Sequence, residues 1–169
     1  FVKVKIQKAL PWGLEGKLAD EKVLVILGPT SSGKSDLAVR LAKKSNGEVI
    51  SADSRQVYKG MDIGTGKITK KEMQGIPHHL LDVASPRSRF SAAQYKKLAE
   101  KELKNILNKG KLPIICGGTG FYIQSLIDGL AIPEVKPDWK LRRNLEKKTT
   151  KYLFGLLEKL DKNRSKNID

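Results

Sequence analysis

The string Gly28-Pro-Thr-Ser-Ser-Gly-Lys-Ser35 constrains this chain more than any other part of it. It satisfies G-x-x-x-x-G-K-[ST] at every required position, and its flanks agree. Before it, Val23–Leu27 is a short apolar run rich in β-branched residues, as expected of a strand buried on both faces. After it, Leu37, Ala38, Leu41 and Ala42 recur at helical spacing, with Arg40, Lys43 and Lys44 toward the end. A strand, a glycine-bounded loop and a helix in that order make a phosphate cradle. The glycines let backbone N–H groups close round an anion, and the helix N-terminus adds partial positive charge. Gly28, Pro29, Thr30, Ser31, Ser32, Gly33, Lys34 and Ser35 are therefore the expected di- or triphosphate-binding set. Lys34 is expected to reach phosphate oxygens, and Ser35 to offer its hydroxyl to Mg²⁺.

The chain continues in alternation. Asn46-Gly47 stops the first helix, Glu48–Ser51 reads as a second strand and Leu80–Val83 as a third. Tyr58–Lys67, with Gly60, Gly64 and Gly66, reads as an irregular loop. Ser91 is an N-cap for a helix carrying Ala92, Tyr95, Leu98, Ala99, Leu103, Ile106 and Leu107 at i, i+3, i+4 spacing, ended by Gly110. Leu112–Cys116 is another buried strand, and Gly117-Gly118-Thr119-Gly120 turns it into a helix through Ile127. Such alternation predicts an α/β fold, a P-loop NTPase-like parallel sheet flanked by helices. The expected organisation is an N-terminal extension without assigned role (residues 1–21), a core (22–133) and a basic helical appendage (134–169), with the boundary at Pro133–Pro137.

Composition narrows the function. The single cysteine, Cys116, sits in an apolar run and reads as core packing, which leaves no disulfide framework and points to a reducing, cytoplasmic setting. His78 and His79 are the only histidines, too few for a His/Cys metal cluster, and read as a structural pair. No stretch reaches the roughly 20 apolar residues that span a bilayer, so no membrane role is expected. Lys and Arg number 33 against 18 Asp and Glu, a net charge of +15, which favours polyanionic partners without naming one. From Lys136 onward there are 11 basic residues against 5 acidic ones, a surface suited either to solvent or to nucleic-acid phosphates.

ATP or GTP would be the default ligand of the loop. A nucleotide hydrolase, however, normally carries an acidic residue at a neighbouring strand tip to hold Mg²⁺, whereas Leu112–Cys116 ends in Gly117-Gly118. The available carboxylate is Asp53, just after the second strand, where parallel sheets build their sites. It can hold metal, accept a proton, or simply close an Asx turn.

Gly28–Ser35, Ser51-Ala-Asp-Ser-Arg-Gln-Val-Tyr-Lys-Gly-Met-Asp-Ile-Gly-Thr65, Pro77-His-His-Leu-Leu-Asp82 and Gly117-Gly-Thr-Gly-Phe-Tyr122 occur in that order. Together they resemble the tRNA dimethylallyltransferases, also called isopentenyl-tRNA transferases. The resemblance implies a loop that grips the diphosphate of dimethylallyl diphosphate, and transfer of the prenyl group to N6 of adenosine 37 beside the tRNA anticodon. It implies catalytic roles for Asp53, as general base, and for Lys34 and Ser35, which offset charge on the leaving diphosphate with Mg²⁺. Asp53, Ser54, Arg55, Gln56 and Thr119 match the tRNA-contacting positions. The basic appendage matches the start of the helical insertion that embraces the anticodon stem-loop, and the chain is expected to act as a monomer. The family continues beyond the equivalent of Asp169 into an arginine-rich segment, so the chain resembles a truncated member. An adenylate isopentenyltransferase acting on AMP, ADP or ATP, a small-metabolite P-loop kinase and a non-catalytic fragment are the alternatives.

Overall fold

A computed structural model describes residues 2–8, 22–129 and 137–168. Its centre is a five-stranded sheet in the order β1-β2-β5-β3-β4. Strands β2 (Lys22–Leu27), β5 (Leu112–Gly117), β3 (Gly47–Ser51) and β4 (His78–His79) run parallel. Strand β1 (Lys3–Lys8) pairs antiparallel with β2, from Lys3↔Leu27 to Lys8↔Lys22. The sheet is thus mixed rather than wholly parallel, and part of the N-terminal stretch left without a role is its edge strand. Lys3 and Lys5 on that edge disfavour pairing with a foreign strand. The rest of the extension, residues 9–21, lies outside the described residues.

Period-two alternation sends the central strands' side chains to two apolar layers. Leu24, Ile26, Val49 and Ile114 pack under helix α1 (Lys34–Ser45) through Ala38 and Ala42. Val23, Val25, Ile50 and Ile115 pack under α3 (Ala92–Asn108) and α4 (Gly120–Ile127), where Tyr95 and Tyr122 stack with ring centroids 4.0 Å apart. Both helix stops act as their composition dictates: Asn46 takes the left-handed conformation at the end of α1, and Gly110 does so after α3. Ser91 caps α3 in a full capping box with Gln94.

The expected strand Leu80–Val83 is corrected. The strand is His78–His79, and the backbone then turns through left-handed conformations at Leu80 (φ 63°) and Asp82 (φ 57°), which no strand accommodates. Leu80 is nevertheless buried, so core packing holds it there. A short helix, α2 (Lys70–Met73), also lies where no periodicity announced it.

At the amino-terminal end of β3, away from the loops that follow the strands, Glu48 is buried with its side chain 1% exposed. Its carboxylate accepts from Lys111 Nζ at 2.7 Å, Lys109 Nζ at 3.1 Å and His79 Nε2 at 2.7 Å, while His79 Nδ1 lies 3.2 Å from Glu102. Burial alone would raise the Glu48 pKa, but the hydrogen bonds from Lys111, His79 and Lys109 outweigh it and hold the group at about 2, against 4.5 ordinarily. A depressed carboxylate stabilises the fold above its unfolded value and loses that contribution as pH falls toward its folded one. Wild-type stability is therefore expected to decline by about 3 kcal/mol between pH 5 and 2 from this group. Urea unfolding across that range should show a flattened pH dependence for Glu48→Gln; an unchanged slope would remove Glu48 as its source.

The chain divides into two compact units, Phe1–Pro133 and Glu134–Asp169. The boundary expected at Pro133–Pro137 lies, but for Pro137, outside the described residues. Within the second unit, α5 (Trp139–Leu145), α6 (Thr150–Leu160) and α7 (Lys162–Ser165) are capped by Asp138, Thr149 and Asp161. Arg142 lies 5.6 Å over the Trp139 ring and Lys148 lies 5.3 Å over Tyr152. Among the described residues no helix is long and apolar enough to cross a membrane.

Candidate active site

Three loops leave the carboxyl ends of neighbouring parallel strands: Gly28–Gly33 after β2, Ala52–Gln56 after β3 and Gly118–Thr119 after β5. Parallel sheets place ligand sites at this end. Here the loops line one cleft of about 910 Å³. Every expected site residue except Gly28 lines it; Gly28 sits behind, its carbonyl facing Gly118.

The Gly28–Gly33 loop owes its shape to two left-handed residues, Ser31 (φ 59°) and Gly33 (φ 81°), the second of them at the N-cap of α1. Gly33 in that conformation aims the first turn of α1 at the loop, and the first N–H groups of a helix have no intrahelical partner. Ser32 Oγ donates to the Pro29 carbonyl at 2.7 Å, closing the loop on itself. The Lys34 side chain folds over the same loop, its ammonium donating to the Pro29 carbonyl and lying 3.4 Å from Ser32 Oγ. Ser35, one residue on, is exposed on the cleft side. The result is a concave cluster of donors with one fixed positive charge.

Asp53 faces the same cleft from β3. Its Oδ1 accepts from the Arg55 N–H at 2.9 Å and from the Gln56 N–H at 3.4 Å, an Asx turn. One carboxylate oxygen closes the turn, and the residue also lines the cleft. The loops after β3 and β5 are joined by side chain and backbone together. Ser54 N–H donates to Thr119 Oγ1 at 2.9 Å, Thr119 Oγ1 donates to Ser54 Oγ at 3.3 Å, and Thr119 N–H donates to the Ala52 carbonyl at 3.1 Å. Thr119 is the N-cap of α4 yet makes no side-chain cap bond; its hydroxyl serves the Asp53 loop instead.

Cys116, expected as core packing, is buried but also lines the cleft at the end of β5. Burial pushes its thiol up to about 11, opposed by Lys34 and reinforced by Asp53, so it is not a thiolate nucleophile. No carboxylate stands at the tip of β5, where Gly117-Gly118 follows. Among the described residues no three His, Cys, Asp or Glu side chains gather to hold a metal ion. His79 is tied to Glu48 and Glu102, and His78 Nδ1–H donates to the Ile76 carbonyl at 2.9 Å. Burial lowers the His78 pKa below that of a free imidazole, against the bond to Ile76, which raises it. Neither ring lines the cleft. Reasoning from the sequence did not place Ile68, Glu72 or Gln74 at the site, yet they line the same cleft. The only signal for them was the glycine spacing of the preceding loop.

A family model described as IPP transferase matches residues 56–169. The chain is 49% identical over 152 residues to a tRNA dimethylallyltransferase from Acetivibrio thermocellus, covering 88% of this chain and 49% of that protein. It is 49% identical to the tRNA isopentenylpyrophosphate transferase structure from Staphylococcus epidermidis, with TM-score 0.61, covering 86% of this chain and 48% of that one. A eukaryotic dimethylallyltransferase acting on tRNA superimposes with TM-score 0.74 at 34% identity, covering 86% and 37%. The chain thus spans about half the length of the curated relatives it matches.

Proposed function

The chain belongs to the IPP transferase family, and we propose that it serves transfer of a dimethylallyl group from dimethylallyl diphosphate to N6 of adenosine 37 in tRNA. The observation that carries this reading is that Asp53 and the phosphate loop line one cleft while the tip of β5 carries glycine rather than an acid. That arrangement suits a diphosphate leaving group opposite a proton acceptor better than it suits nucleotide hydrolysis.

In the proposed step the N6 lone pair attacks C1 of the dimethylallyl group, the C1–O bond breaks, and its electron pair leaves with pyrophosphate. Asp53 takes the proton released from N6. Lys34 and the N–H groups of the loop stabilise the charge that grows on the diphosphate. The donor set fits Mg²⁺: an exposed Ser35 hydroxyl without a carboxylate cluster matches an ion that keeps waters and phosphate oxygens as its other ligands. When bound at Ser35, Mg²⁺ would supply further charge neutralisation at the diphosphate. Ser54, Arg55, Gln56 and Thr119 form the acceptor side, and the basic residues from Lys140 to Lys166 suit the phosphates of an anticodon stem-loop.

The test pairs binding with turnover. Calorimetric titration in Mg²⁺ should show preference for dimethylallyl diphosphate over ATP, and an anticodon stem-loop incubated with protein and donor should gain the mass of one prenyl group. Clear preference for ATP would overturn the reading. Prenylation of AMP but not of RNA would assign the chain to free adenylates instead.

A further inference from the structure

Lys67 stands outside the chemistry just described, yet its side chain is only 5% exposed at the end of a glycine-rich surface loop. Its ammonium donates to the Asp82 carboxylate at 2.6 Å, the Asp62 carboxylate at 2.7 Å and the Tyr58 carbonyl at 2.8 Å. Three acceptors match the three hydrogens of an ammonium. A buried lysine in an otherwise exposed loop costs desolvation, so this arrangement holds only because every donor is used.

The three acceptors come from segments that converge on Gln56. The Asp82 N–H donates to the Gln56 carbonyl at 3.3 Å, and Asp82 is the residue held at φ 57°. On the loop side, Gln56 Nε2 donates to the Gly66 carbonyl at 3.2 Å, next to Lys67 itself. Gln56 N–H in turn points at Asp53 Oδ1. Lys67 therefore ties together both supports of Gln56: the turn that meets its backbone and the loop that meets its side chain.

We propose that Lys67 is a positioning residue that staples the 58–67 loop to the Asp82 turn, and thereby fixes Gln56 and the Asp53 turn on the acceptor side of the cleft. The consequence for RNA rests on the function proposed above; the staple itself does not. The phosphate loop shares none of these bonds, so losing the staple separates the two halves of the site. Acceptor recognition fails while diphosphate binding persists.

Lys67→Met keeps the stem and removes the ammonium. In the full chain, amide hydrogen exchange at Gln56, Tyr58 and Asp82 is expected to quicken by about tenfold or more, with the amides of α1 unchanged. Unchanged exchange at those three amides overturns the staple. The preference for an anticodon stem-loop with adenosine at position 37 over one with guanosine is expected to fall at least fivefold, while pyrophosphate affinity stays within twofold. Lys67→Arg, which keeps charge and donors, should recover much of that preference. Equal losses toward RNA and pyrophosphate, or quickened exchange with intact RNA preference, would overturn the positioning role. A wild-type chain that binds no stem-loop would refute the proposed function, with exchange still deciding the staple. Should Lys67→Met not fold, Asp62→Ala removes one acceptor from an exposed position, and about threefold faster exchange at the same amides is then expected; no change there would count against the staple equally.

Discussion

Asp53→Asn is expected to slow prenyl transfer by about 10²–10⁴-fold while leaving diphosphate affinity unchanged. The substitution separates the turn that Asp53 closes from the role of base proposed for it. Asp53 Oδ1 closes the turn by accepting from Arg55 N–H at 2.9 Å, and the amide oxygen of Asn can do the same. An amide nitrogen in place of Oδ2 is a donor and takes up no proton, so the variant keeps the turn and loses the base. Asp53→Ala removes both, and should add about 1 kcal/mol of lost stability from the open turn. Single-turnover prenylation of a stem-loop, followed by mass, reads the first effect; calorimetry with pyrophosphate and Mg²⁺ reads the second. Wild-type turnover in the Asn variant would remove Asp53 as base. A loss of pyrophosphate affinity would assign the carboxylate to the metal side of the cleft.

The site was more legible in the sequence than the sheet that carries it. Gly28–Ser35 announces itself because a phosphate loop is local: the strand, turn and helix that make it are contiguous, and each leaves its own pattern. Ser91 and Gly110 were readable for the same reason, as caps act within one turn. What failed was non-local. Lys3–Lys8 alternates lysine with apolar residues, but Val4 and Ile6 remain half or more exposed, and the partner strand lies across the intervening residues 9–21. Nothing local distinguishes such an edge strand from an extended tail. Strand β4 is two residues long, too short for any period, and the left-handed Leu80 that ends it is a conformation leucine is not expected to adopt. Nothing in the sequence sets Lys67 apart, because its three acceptors come from Tyr58, Asp62 and Asp82, and only the folded chain gathers them. Cys116 was read as core, and burial justifies that; its second face on the cleft depends on where β5 stops. The string from Ser51 to Thr65 conveyed function by resemblance, whereas its bonds explain why the residues sit together.

Gly117 lies hard against Ala52 in that segment, and Gly117→Ala is expected to be the most damaging alanine substitution among the described glycines. A Cβ there would stand 2.8 Å from the Ala52 Cα, and closer still to the Ala52 carbonyl carbon and oxygen. These are backbone atoms, so no rotamer change relieves the overlap. Strands β3 and β5 pair up to Ser51↔Cys116, and the Ala52 N–H donates to the Cys116 carbonyl at 2.8 Å, so the methyl group must part the two strands at their tips. Overpacking of this kind costs about 3 kcal/mol, which for a domain of this size lowers Tm by about 10 °C. The same displacement strains the Thr119-to-Ala52 and Ser54-to-Thr119 bonds that hold the Asp53 loop. Prenyl transfer should therefore fall by about 10²-fold or more even at temperatures where the variant stays folded, as a shift near 1 Å at a reacting group suffices for that. Gly118→Ala is the control: its Cβ would lie 3.4 Å from the Gly28 carbonyl oxygen, an ordinary contact, and stability should stay within about 0.5 kcal/mol of wild type. Thermal unfolding of the two variants side by side decides the matter, because they insert the same methyl group one residue apart. Equal Tm values would mean that the loops after β3 and β5 do not touch, and the cleft that joins Asp53 to the phosphate loop would lose its frame.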